Sequence, residues 1–202
     1  MARSEQRAWQ RMLSGRRLDL LNPSPLDVEI TDIAHGLARV ARWNGQTTGD
    51  YAFSVAQHSI LVLNIYVAMA GRDVPKYELY ALLHDAPEYV MGDIISPFKA
   101  VMGGNYKDIE NHLLDAIHAR FSLPARRPAN ISKTIKKADR HAAYFEAVHL
   151  AGFEVDEART LFGKPDLPDF DIEGFSELIR PWPTQESQDR FLSSFEGISG
   201  RL

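Results

Sequence analysis

An all-α protein is what this sequence predicts, and three observations carry the expectation. Apolar residues recur at three- and four-residue steps through most of the chain. No run sustains the apolar/polar alternation of a half-buried strand; only Val28-Glu29-Ile30 is expected to pair briefly. Proline and glycine fall mainly between the periodic segments, where they act as punctuation. With 202 residues the simplest organisation is one bundle-like helical domain over 1–202. Its core would lie at about 30–150, followed over 151–202 by a C-terminal excursion and a last helix.

The elements follow in order. Thr31 or Asp32 can cap a first helix running to about Trp43, ahead of the turn-forming Asn44-Gly45. A second helix spans about Ser54 to Ala70 and stops at Gly71. Asp73-Val74-Pro75 opens a third, because a first turn tolerates proline. Pro87 ends or kinks it, since proline lacks an amide donor and crowds the preceding turn. A loop through Gly92, Pro97, Gly103 and Gly104 leads to a helix from about Tyr106 to Phe121. After Pro124 and Pro128, Asn130 or Ser132 caps a long helix reaching about Ala151. The acidic stretch Glu154–Glu177, with Pro165 and Pro168, reads as a short helix plus an irregular excursion. Pro181 and Pro183 precede a last helix with Phe191, Leu192 and Phe195 on its apolar side.

Composition removes several function classes. A net charge of −4 gives no electrostatic reason to expect a nucleic-acid polymer as partner. The absence of cysteine excludes disulfides, thiolate metal sites and cysteine nucleophiles. Met1-Ala2-Arg3-Ser4-Glu5-Gln6 is polar and no signal-peptide apolar core follows it. The longest apolar run, Ser59 to Gly71, is broken by Asn64 and too short to span a bilayer. A soluble, cytoplasmic protein without a membrane partner is expected.

The chemistry lies in polar residues that intrude on apolar stripes. Val55, His58, Val62, Ile65 and Met69 share one helix face, so His58 points inward. Tyr77, Tyr80, Ala81 and His84 share another, with Asp85 about 100° round. Ile131, Ile135, Ala138, Ala142 and Phe145 form a third stripe, interrupted by Asp139. A lone inward histidine is usually a hydrogen-bonded core residue. Two histidines and two aspartates on inward faces are harder to explain that way, because an unpaired buried carboxylate costs several kcal/mol. A cation removes that penalty. Two imidazoles and two carboxylates suit one divalent transition metal (Mn²⁺, Fe²⁺, Co²⁺ or Zn²⁺) with positions left for water or substrate.

His58, the His84-Asp85 doublet and Asp139, in this order and spacing, resemble the H…HD…D signature of the HD-domain metal-dependent phosphohydrolases. The resemblance covers roughly residues 30–150. Arg42-Trp43, His84-Asp85-x-x-Glu88 and Gly92-Asp93 are similar to the bacterial 5′-deoxynucleotidase branch and related phage-type hydrolases. The resemblance implies that His58, His84, Asp85 and Asp139 bind the metal. Glu88 and Asp93 would activate the attacking water and assist proton transfer. Arg42 would clamp the substrate phosphate and Trp43 would border the sugar. The implied substrate is a 2′-deoxynucleoside 5′-monophosphate. A triphosphohydrolase releasing tripolyphosphate, or a non-catalytic metal and nucleotide sensor, would use the same ligands. Homodimerisation is implied by the resemblance alone.

Other signals read more plainly. Glu146-x-x-His149 matches half of a di-iron pattern, lacks a second copy, and reads as a solvated helix face. Arg120, Arg126, Arg127, Lys133, Lys136, Lys137 and Arg140 form a basic stretch, mostly solvated, with one or two able to steer anionic nucleotides. Asp166, Asp169, Asp171 and Glu173 read as a surface loop rather than a second metal site, and His35 as a helix-surface or capping residue rather than a substrate contact. Tyr51, Phe53, Tyr89 and Phe98 read as core or rim packing, although one could stack on a base. No P-loop, dinucleotide fingerprint, H-E-x-x-H or nucleophile elbow is present.

Overall fold

The computed structural model describes residues 8–70, 74–95, 104–124, 126–167 and 172–202. A short antiparallel hairpin, β1 (Trp9–Arg11) and β2 (Arg17–Asp19), comes first. Helices follow: α1 (Ile30–Leu37), α2 (Val55–Ala70), α3 (Pro75–Leu82), α4 (Glu88–Met91), α5 (Gly104–Arg120), α6 (Ala129–His149), α7 (Val155–Phe162), α8 (Ile172–Ile179) and α9 (Thr184–Ser199). The chain is mostly helical, as its periodicity predicts. Among the described residues no helix is long and apolar enough to cross a membrane.

Helix α2 is the axis of the structure. From Val55 to Leu63 every residue is buried, so it is enclosed on all sides rather than amphipathic. It packs against α6, α3 and α9, with α8 nearby. The shared core runs from Leu18 through Ile33, Leu61, Leu82 and Ile135 to Phe191 and Ile198. Gln57, fully buried on α2, fastens the C-terminal region to this axis. Its Nε2 donates to the carbonyls of Leu178 (2.9 Å) and Arg180 (2.6 Å), and its Oε1 accepts from the amide of Trp182 (3.0 Å).

Four expectations change. The first helix ends at Leu37, not near Trp43, because the following backbone pairs with the entry to α2. The Arg42 amide donates to Phe53 O (2.8 Å) and the Val55 amide to Val40 O (3.0 Å). Trp43 and Asn44 then adopt left-handed φ values of 56° and 52° in a short 3-10 turn. Val28-Glu29-Ile30 forms no strand; it links a 3-10 turn at Pro25–Asp27 to α1. Asp32 is not the cap of α1. Its carboxylate accepts from the amide (3.0 Å) and hydroxyl (2.5 Å) of Ser14, anchoring the hairpin that the sequence pattern did not predict. The stretch after Glu154 holds two helices, α7 and α8. Gly71, Asp73, Pro97, Phe98, Gly103, Pro168 and the whole acidic Asp169–Asp171 segment lie outside the described residues.

One close approach fixes how α1 packs on α4. A Cβ on Gly36 would stand 2.6 Å from the Tyr89 carbonyl oxygen, so only glycine lets α1 lie this near α4.

Candidate metal centre

Three elements deliver the predicted ligands to one place. Helix α2 presents His58 from its first turn. The turn between α3 and α4 presents His84 and Asp85, because α3 stops at Leu82 and Pro87 starts the next short helix. Helix α6 presents Asp139 from its middle. Ligand atoms of His58, His84 and Asp139 all lie within 4.8 Å of one another. His58 Nε2 is 3.4 Å from Asp139 Oδ1 and 3.5 Å from Asp85 Oδ2, and His84 Nε2 is 3.2 Å from Asp85 Oδ2. The two imidazole rings are 5.3 Å apart.

Hydrogen bonding behind the rings fixes which nitrogen is free. His84 Nδ1 lies 2.8 Å from the carbonyl of Ala81, which only accepts, so Nδ1 carries the proton. His58 Nδ1 lies 2.5 Å from Glu146 Oε1, an ionised acceptor. With each Nδ1 engaged from behind, the Nε2 atoms are the ones left to ligate an ion, and both are buried without a hydrogen-bond partner. Ligands at about 2.0–2.2 Å from one ion sit roughly 3–3.5 Å from each other. The spacing of these imidazole and carboxylate atoms fits that geometry. Electrostatics point the same way. Burial and Arg42 push the His58 pKa down, but Glu146, Asp139 and Asp85 outweigh them and hold it well above its ordinary value. The pocket thus favours positive charge at His58 Nε2, which a divalent ion supplies. Burial raises the Asp85 carboxyl, while His84 and His58 hold it well below the usual carboxylate range.

Glu146 is the residue whose importance the sequence reading missed. It is fully buried, not solvated. One oxygen holds His58; the other accepts from Trp43 Nε1 (2.8 Å) and Arg42 Nε (3.3 Å). Burial pushes its carboxyl up, but Arg42, His58 and these hydrogen bonds bring it down to about 2. Arg42 Nη1 also donates to Asp93 Oδ2 (3.0 Å). Burial lowers the Arg42 pKa, yet Glu146, Asp93, Asp85 and Asp139 together raise it, which places its charge beside the ligand cluster. Gly92, with φ of 78°, turns the chain so that Asp93 reaches Arg42.

The remaining candidates are placed as follows. The Trp43 ring stands 5.5 Å from Phe153 and 5.9 Å from Phe162. Glu88 is buried at the start of α4, its amide bonded to Asp85 O (3.0 Å). The signal for Glu146 was present in the spacing: seven residues after Asp139 is two helical turns, which puts both on one face of α6.

No family model matches the chain. The protein RCAP_rcc00048 of Rhodobacter capsulatus, uncharacterized, is 56% identical over 177 residues, covering 88% of this chain and 89% of that protein. The chain belongs to the same family. The 4′-phosphooxetanocin A phosphatase of Priestia megaterium is 26% identical over 190 residues, covering 82% and 93%. Among solved structures, the HD phosphohydrolase DatZ of cyanophage S-2L, bound to dA and one catalytic Zn²⁺ ion, is similar with a TM-score of 0.52. Identity there is 21%, covering 87% of this chain and 99% of that one. The fold is that of an HD-type phosphohydrolase. Within this HD fold, the cluster of His58, His84, Asp85 and Asp139 occupies the junction of α2, α6 and the α3–α4 turn.

Proposed function

We propose that this chain is a metal-dependent phosphohydrolase that removes the 5′-phosphate from 2′-deoxynucleoside monophosphates. One observation carries the reading: two buried Nε2 atoms, each ring held from behind at Nδ1, stand from carboxylate oxygens of Asp85 and Asp139 at the spacing of ligands that share one ion. The HD fold supports it, as does the similarity to DatZ, bound to dA and a catalytic Zn²⁺, and to a phosphatase.

His58, His84, Asp85 and Asp139 would hold one divalent ion. Such an ion supplies Lewis-acid polarisation of a phosphoryl oxygen and lowers the pKa of water towards ~7 in favourable cases. The protein's own groups do the rest. Glu88 and Asp93 orient the attacking water and take up or return its proton, worth roughly 10²–10⁴ in rate. Arg42 has Nε and Nη1 committed to Glu146 and Asp93, so its remaining donors are aimed before a phosphate arrives. Trp43, wedged against Phe153 and Phe162, gives the sugar a rigid wall.

The test is a panel of deoxynucleoside mono- and triphosphates with Mn²⁺, Co²⁺ or Zn²⁺, resolving the phosphate product. Orthophosphate from monophosphates is expected. No release from any monophosphate overturns the reading, and tripolyphosphate as product moves it to a triphosphohydrolase. Glu88→Gln should lower kcat by about 10²–10⁴ while ligand affinity stays; a sensor would change in binding only. Asp139→Ala should empty the site, and full metal occupancy by elemental analysis would contradict the ligand assignment.

A further inference from the structure

The outer face of α6 and the end of α7 enclose a groove of about 420 Å³. Lys133, Lys136, Lys137 and Arg140 line it from α6, and Lys164 faces them from beyond α7. The four α6 residues occupy positions i, i+3, i+4 and i+7, a single helical stripe. Lys164 is set there by Gly163, which ends α7 with φ of 82°. Among the described residues, none of these five cations forms an ion pair. Like charges at these helical spacings cost about 0.2–0.5 kcal/mol per pair. A protein of net charge −4 has thus concentrated five positive charges on one concavity.

A second observation separates the groove from an ordinary solvated face. His141, which also lines it, is 4% exposed, and its Nδ1 is buried without a hydrogen-bond partner. Buried imidazole nitrogens normally find one. The residues lining the groove include none of the proposed metal ligands. Its volume is within the roughly 300–1,000 Å³ typical of small-molecule sites. Five cations exceed the charge of one phosphate group, so the matching ligand carries several.

We infer that this groove binds a polyphosphate chain, at a site distinct from the metal centre. The chain can belong to a nucleoside triphosphate or to free inorganic polyphosphate, since the cations recognise the phosphates alone. Lys and Arg donors at converging positions make charge-assisted bonds to phosphate oxygens. Phe162 lines the groove and meets Trp43 edge-on at 5.9 Å, so an occupant would rest one ring away from the proposed substrate wall.

The experiment titrates inorganic tripolyphosphate, dATP and orthophosphate by calorimetry into the full chain at fixed ionic strength with EDTA. Wild type, Asp139→Ala and the double variant Lys137→Glu/Lys164→Glu are compared. Wild type and Asp139→Ala should bind tripolyphosphate alike at one site, orthophosphate far more weakly. The double variant should lose at least about tenfold in affinity. Tighter dATP than tripolyphosphate identifies a nucleotide as the ligand; equal affinity identifies the chain alone. Loss in Asp139→Ala with none in the double variant overturns the inference, as does binding without a 1:1 end point. Both altered lysines are exposed, so an unchanged circular dichroism spectrum and retained metal content show that the fold is intact. Metal-dependent hydrolysis by the double variant is a separate readout, so this inference can fail while the proposed function stands.

Discussion

On the inner face of α6, Asp139 and Glu146 stand among Ile135, Ala138 and Ala142, whereas the outer face carries Lys133, Lys136, Lys137 and Arg140. Both faces are charged, but water treats them differently. Glu146 is wholly desolvated, and its charge persists because three donors surround it, one of them the Arg42 guanidinium. The lysines remain exposed and keep most of their hydration. A buried charge must be answered by specific partners, while an exposed one is answered by solvent. Substitutions on the two faces should therefore differ several-fold in cost.

The largest expected effect is at Glu146. Glu146→Ala leaves His58 Nδ1 and Trp43 Nε1 without their acceptor and removes one of the two carboxylates on Arg42. Breaking a buried pair from one side costs about 3–5 kcal/mol. Metal affinity should fall roughly 10–100-fold, because His58 loses the group that orients it. Urea unfolding and metal titration measure the two. A change below ~1 kcal/mol would erase the contrast between the faces.

His118 extends the contrast to a second buried polar group, on α5. It is 1% exposed, neither ring nitrogen has a hydrogen-bond partner, and it meets Tyr80 edge-on at 4.9 Å. Burial, then Arg127, lowers its pKa to about 4. The unfolded chain, with a pKa near ~6.5, binds a proton that the folded chain refuses, so stability falls as pH drops from ~6.5 towards 4. The loss should be about 2 kcal/mol at pH ~5. Glu146 acts lower, its contribution disappearing between ~4.5 and about 2 as pH falls. His58 acts oppositely in the metal-free protein: its raised pKa stabilises below ~6.5, and that support is lost as pH rises through the folded value. The useful quantity is therefore the difference between wild type and His118→Leu at each pH. That difference should shift by about 2 kcal/mol between pH ~7.5 and ~5, and a flat difference would remove His118 from the account.

How far sequence anticipated these sites depends on how local the signal is. Periodicity exposed α2 and α6, because a long apolar stripe repeats its evidence over several turns. His58 and Asp139 were visible as interruptions of such stripes. Glu146 shares the face of Asp139, yet its neighbour His149 is exposed and the pair suggested a surface. Its partners, Arg42 and His58, lie 104 and 88 residues away, a separation no periodic pattern encodes. The β1–β2 hairpin has three-residue strands, too short for alternation to register. The left-handed Trp43 was equally hidden, since Asn44-Gly45 signalled a turn but not that a tryptophan would enter it early.

Gln57 offers a neutral counterpart to Glu146, one residue from His58 on the same buried helix. Gln57→Ala orphans two carbonyls and one amide near Leu178, Arg180 and Trp182. The expected loss is about 2–3 kcal/mol, smaller than at Glu146 because no charge is stranded. Metal affinity should hardly change, since the clip faces away towards the C-terminal segment. A metal defect equal to that of Glu146→Ala would mean that the two buried networks act as one.

The smallest effect, and the opposite sign, belongs to the outer face. Lys137 stands four residues after Lys133 and three before Arg140, and each pairing repels. Lys137→Glu turns both repulsions into attractions while changing no buried contact. Each reversed pair is worth a few tenths of a kcal/mol, so the variant should be slightly more stable than wild type, by about 0.5–1 kcal/mol at low salt. Added salt should shrink the gain, because exposed charges are screened within roughly 10 Å at 0.1 M. A stabilised variant that has lost tripolyphosphate affinity would show that the repulsive stripe is maintained against the interest of the fold. A destabilised one would mean that Lys137 already makes contacts within the protein, and the outer face would then resemble the inner one.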